Sequence, residues 1–79
     1  MEKVPLLNKL KEYRSDLGIN QTEMGKLAGV SRQTISLIER GDYHPSVLLA
    51  LRIARVFGAP LEEVFFLEGE EGNENAKNN

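Results

Sequence analysis

Residues Asn20 to Gly41, NQTEMGKLAGVSRQTISLIERG, combine two cap signals, two short apolar stripes and glycines at the points where each helix must stop. Asn20 offers a side-chain oxygen at an N-cap, and Glu23 three residues later completes the capping-box spacing, with Asn in place of Ser or Thr. A helix is expected from about Gln21 to Ala28, turning Met24, Leu27 and Ala28 inward. Gly25 leaves room for a close neighbour, although Ala would be the better helix former there. Gly29 and Val30 make the turn, the glycine reaching positive φ without a Cβ clash and the valine anchoring the corner. Ser31 then caps a second helix. Its Ile35 and Ile38 face inward, which leaves Arg32, Gln33, Ser36, Leu37 and Arg40 on or near the outer face, with Thr34 beside them. Gly41 ends it, so the segment reads as two short helices around a tight turn.

Working outward toward the N-terminus, Leu7, Leu10, Tyr13 and Leu17 recur at three- and four-residue spacing, which predicts a helix from about Leu6 to Leu17 stopped by Gly18. Toward the C-terminus, GDYHP is an irregular connection, because Pro45 disfavours a helical conformation at His44. Ser46 caps a fourth helix through about Phe57. Val47, Ala50, Leu51, Ala54 and Phe57 form its core stripe, and Leu48, Leu49, Ile53 and Val56 widen the apolar surface enough for two neighbours. Leu61 to Val64 add one helical turn, and Phe65, Phe66 and Leu67 suit a short strand. The expected architecture is all-α, five helices with a short C-terminal strand, in one domain over residues 1–67.

From Glu68 to residue 79 the chain is acidic, rich in Asn and nearly free of apolar residues, which predicts a disordered tail. This tail explains the net charge of −2. Residues 1–60 carry nine Lys or Arg against six Asp or Glu, a balance of +3, whereas residues 61–79 carry Lys77 against six Glu, a balance of −5. The folded part is thus mildly basic, as an electrostatic footprint on nucleic acid requires.

Other classes are excluded or disfavoured by what the 79 residues omit. With no cysteine, neither a disulfide nor a thiolate metal site can staple so small a core, which favours help from a second subunit. No apolar run approaches the roughly 18 to 20 residues that span a bilayer, and MEKVPLLNKL lacks a signal-peptide pattern, so a cytoplasmic protein is expected. One histidine, no phosphate-binding glycine loop and no paired His ligands argue against an enzyme, a metal site or a cofactor. Glu62 and Glu63 sit at a helix start, where negative charge is stabilising.

The stretch from about Asn8 to Leu67, carried by LGINQTEMGKLAGVSRQTISLIERGDYHPS and LALRIARVFGAPLEEVF, resembles the Cro/CI-type, or XRE-type, helix-turn-helix regulators. Caps, core positions and turn residues agree over five consecutive elements. The resemblance implies a phage-repressor-like bundle with its helix-turn-helix at about residues 21–40. Residue by residue, it places Gln21 on a DNA phosphate and gives base reading to Arg32, Gln33, Ser36 and Leu37. Thr34 matches a residue on phosphate or base, and Arg40, Tyr43 and His44 match the region that clamps the backbone. Ser31 is chiefly a cap, whose hydroxyl can also touch phosphate. Arg14 and Glu39 match a pair that bridges two helices.

Two departures from the family pattern matter. Gly25 stands where Ala is usual, and is expected to loosen its helix. Leu48 stands where a polar residue is common, and together with Val64, Phe65, Phe66 and Leu67 it makes a candidate dimer contact. The strand at Val64 to Leu67 has two open pairings, with its symmetry mate or with residues near Val4. The leading expectation is a homodimeric repressor that reads a palindromic operator in double-stranded DNA with recognition helices about 34 Å apart. The alternative is a protein-interaction module, such as an antitoxin or corepressor subunit, whose acidic tail engages a protein partner.

Overall fold

Three serine or asparagine side chains define where the central helices begin. In the computed structural model, which describes residues 5–70, the order is β1 (Leu6–Asn8), α1 (Leu10–Leu17), α2 (Gln21–Ala28), α3 (Arg32–Glu39), α4 (Val47–Phe57), α5 (Leu61–Val64) and β2 (Phe65–Leu67). Asn20 accepts from the Glu23 amide and the Glu23 carboxylate accepts from the Asn20 amide, both at 2.8 Å, which completes the capping box. Ser31 and Ser46 cap α3 and α4 in the same manner, each accepting from the amide three residues on at 3.1 Å. Each cap satisfies an amide that the first turn of a helix would otherwise leave without a partner.

The turn between α2 and α3 depends on both glycines. Gly29 adopts a φ of +82°, and the Gly25 carbonyl accepts from the amides of Gly29 and Val30 at 2.8 Å each. A Cβ on residue 25 would stand 2.6 Å from the Val30 carbonyl oxygen. Gly25 therefore tightens the turn by admitting backbone where a side chain would lie, and the expectation of a loosened α2 is overturned.

Leu6–Asn8 are a strand and not the first turn of α1. They pair antiparallel with β2 in the register Leu6 with Leu67, Leu7 with Phe66 and Asn8 with Phe65. Asn8 enforces the change of direction, since its Oδ1 accepts from the Leu10 amide at 3.0 Å while its Nδ2 donates to the Ile38 carbonyl at 2.9 Å. The strand at the C-terminal end thus finds its partner just beyond Val4, within the chain. Its outer edge is closed by Glu70, whose Oε1 accepts from the Leu67 amide at 3.3 Å and whose amide donates to the Leu67 carbonyl at 3.0 Å. Of the expected tail, Glu68 and Gly69 form a turn, and residues 71–79 lie outside the described residues.

The core gathers Leu10, Met24, Ala28, Ile35, Ile38, Leu49, Ala50, Ile53, Ala54, Val64 and Phe65. Tyr13 stacks on Phe57 at its margin, with ring centroids 5.2 Å apart. Four residues expected on an inward stripe do not face the core. Leu17, Leu27 and Leu51 are exposed, and Val47 is 73% exposed, while in α4 Leu49 and Ile53 are buried. The buried stripe of α4 is therefore rotated from the expected one, which an almost uniformly apolar helix cannot signal by its pattern. Among the described residues, no helix is long and apolar enough to cross a membrane, and no group of three His, Cys, Asp or Glu could hold a metal ion.

Candidate nucleic-acid interface

The orientation of α3 is fixed from three sides. Ile35 and Ile38, 0% and 1% exposed, anchor its inner face in the core. Ser31 fixes its first turn, the hydroxyl also lying 3.1 Å from that of Thr34, and Asn8 holds the Ile38 carbonyl near its end. Its outer face follows from the helical period. Arg32, Gln33 and Arg40 are exposed, and Thr34, Ser36 and Leu37 are half-buried. Tyr43 and His44 are exposed in the following loop. These side chains lie along one helix and its continuation, with donors, acceptors and one apolar surface but no nucleophile paired to a base.

Behind that face lies a polar chain that crosses three helices. Arg14 of α1 donates through Nε to Glu39 Oε2 at 2.7 Å and through Nη2 to Glu39 Oε1 at 3.3 Å, with side chains 14% and 6% exposed. Its Nη1 donates to the Ile19 carbonyl at 3.0 Å, so all three guanidinium nitrogens are used. Gln21 of α2 donates through Nε2 to Glu39 Oε1 at 3.0 Å, and its Oε1 accepts from Arg32 Nη1 at 3.4 Å. A carboxylate only accepts, so Glu39 forces the amide nitrogen of Gln21 toward itself and leaves the amide oxygen for Arg32. Arg14 and Glu39 thus stand as the expected bridge. Gln21 is joined to the same network, a link across eighteen residues that no local spacing announces.

The far end of α3 carries a second charged pair. Arg40 Nε lies 3.3 Å from Asp42 Oδ2, with both side chains about three-fifths exposed (61% and 60%). Sequence reasoning passed over Asp42, and the ERGD succession is the signal that was available. Of the five residues expected at a dimer contact, Val64, Phe65 and Phe66 are buried within the chain by the core and the β1–β2 ladder. Leu48 and Leu67 remain exposed, at 60% and 44%.

The helix-turn-helix family model matches residues 10–64. The chain is 51% identical over 63 residues to the uncharacterized HTH-type transcriptional regulator YgzD of Bacillus subtilis, covering 80% of this chain and 96% of that one. It is 48% identical over 64 residues to an uncharacterized HTH-type transcriptional regulator of Methanocaldococcus jannaschii, with 81% and 97% covered. Among solved structures, the P22 c2 repressor in complex with a synthetic operator superposes with a TM-score of 0.65 at 28% identity, covering 67% of this chain and 80% of that one. The restriction-modification controller protein C.AhdI of Aeromonas hydrophila gives a TM-score of 0.63 at 26% identity, with the same coverage. The chain belongs to the XRE/Cro-CI-type family of helix-turn-helix DNA-binding transcriptional regulators.

Proposed function

We propose that this protein is a sequence-specific transcriptional repressor of the cytoplasm, binding a palindromic operator as a homodimer with α3 in the major groove. The observation that carries the reading is the exposed face of α3, held rigid by the core behind it and by the Arg14–Glu39–Gln21 network at its side. Arg32 donates a fork that matches guanine O6 and N7, and Gln33 matches adenine N6 and N7. Ser36 and Leu37 line the next turn, where a hydroxyl serves either kind of base and an apolar side chain meets a thymine methyl. Gln21 keeps one amide hydrogen free of Glu39 for a phosphate, and Ser31, Thr34, Arg40, Tyr43 and His44 supply the remaining backbone contacts. Leu48 and Leu67 are the apolar residues left for a second subunit.

The decisive experiment combines Arg32→Ala with Gln33→Ala. Duplexes selected from a random pool by the wild-type protein should report a palindrome, and the double variant should bind selected and random duplexes alike while keeping its helical circular dichroism. Each bidentate contact supplies about 1 to 3 kcal/mol of discrimination. Retained preference for the selected duplex in the double variant would refute base reading by these residues.

A further inference from the structure

We propose that Asp42 is an internal competitor for the DNA backbone, occupying Arg40 in the free protein and limiting affinity for every duplex without altering which sequence is preferred. The inference rests on the reading that α3 enters the major groove. Its structural basis is the end of that helix. The Asp42 amide donates to the Leu37 carbonyl at 2.9 Å and the Gly41 amide to the Ile38 carbonyl at 3.0 Å, with Gly41 at a φ of +80°. These two bonds form a Schellman termination and fix Asp42 just past the last turn.

A carboxylate is unfavourable at that place, because the free carbonyls at a helix C-terminus already carry partial negative charge. Helix stability therefore gives no reason for an acid at residue 42. Its side chain instead meets Arg40 at 3.3 Å, in a segment where Arg40, Tyr43 and His44 are all exposed. Both members of the pair are open to water, so the bond is weak and readily surrendered. A phosphate that reaches Arg40 must displace the Asp42 carboxylate and then remain beside it. Every DNA sequence carries that phosphate, so the penalty is common to all of them, while base choice is assigned to the side chains of Arg32, Gln33, Ser36 and Leu37, which take no part in the Arg40–Asp42 pair.

The test is Asp42→Asn, an isosteric change, measured against a duplex selected by the wild-type protein and against a random duplex over a salt series. The variant should bind both about three- to fivefold more tightly, with their affinity ratio unchanged. Its plot of log affinity against log salt should steepen, by up to about 0.9, because no carboxylate then offsets the Arg40 charge at its phosphate. In an Arg40→Ala background the gain should vanish. If the wild-type protein binds DNA and Asp42→Asn matches it in affinity and slope, this inference alone falls. A gain of the same size in the Arg40→Ala background, or one confined to the selected duplex, would also overturn it. If neither protein binds any duplex, the assignment of α3 falls and this inference with it.

Discussion

The carbonyl oxygen of Val30 lies 2.6 Å from the point where a Cβ on residue 25 would stand, and the atoms of Ser31 at that turn are scarcely farther away. Helix propensity alone favours Gly25→Ala by about 1 kcal/mol. The clash is with backbone, which cannot swing aside as a flexible side chain can, and overpacking of that kind costs about 1 to 3 kcal/mol. Gly25→Ala should therefore lower stability, by up to about 2 kcal/mol in urea unfolding. A variant as stable as the wild type would show that the turn relaxes freely.

Glu39 holds a part-buried guanidinium and an amide at once, so its removal leaves Arg14 with the Ile19 carbonyl alone and no counter-charge, and takes the acceptor from Gln21 Nε2. Glu39→Ala should cost about 3 kcal/mol, the range of a buried pair broken from one side. Glu39→Gln should cost less, because it still accepts a hydrogen bond. Equal losses for the two variants would mean that charge, and not hydrogen bonding, sustains the network.

Tyr13 is expected to titrate above the ordinary phenol value, chiefly through desolvation and then through the negative charge and hydrogen bond of Glu63, with Asp16 adding a smaller repulsion. The folded state thus favours the neutral phenol. Its stabilising contribution is complete below the unfolded value of about 10 and is lost as pH rises through the higher folded value. With Tyr43→Phe as background, the phenolate absorbance of Tyr13 should appear at higher pH than free tyrosine. Adding Glu63→Gln should bring it partway back, and no movement would exclude the carboxylate as a cause.

Leu48 is exposed near the start of α4, the helix that follows the α3 loop. Leu48→Lys should leave the helical circular dichroism of the protein unchanged, as expected for a position exposed within the single chain. Sedimentation should show the protein shifted toward monomer, and binding to a full palindrome should weaken more than binding to a single half-site. An undisturbed dimer would remove Leu48 from the interface.

Legibility from sequence followed locality. Asn20, Ser31 and Ser46 cap as their spacing predicts, because a cap is an interaction over three residues. The one-turn α5 was readable from the Gly58 and Pro60 punctuation before it, and the strand at Phe65–Leu67 from its short apolar run, although its pairing partner was not. The rotation of α4 was hidden because only Arg52 and Arg55 interrupt its apolar run, so no polar face marks which side is out. The strand at Leu6–Asn8 was hidden because its partner lies at the far end of the chain and its leucines match a helical stripe. At the interface, residue identities on the face of α3 were accessible, while the attachment of Gln21 to Glu39 and the pairing of Asp42 with Arg40 depend on how the chain folds and ends its helices.

The β1–β2 ladder also has a topological consequence. Pro5 and Glu68 are joined by a 2.9 Å hydrogen bond, so the two ends of the described chain leave the molecule side by side. All five helices lie within the loop that this bond closes. A short linker could therefore connect the ends while a new break is opened elsewhere, as in a circular permutant, with the packed helices undisturbed. The exposed loop at Tyr43 and His44 is the place for such a break, and a permutant opened there would keep α3 in its scaffold while freeing its far end from the chain that follows.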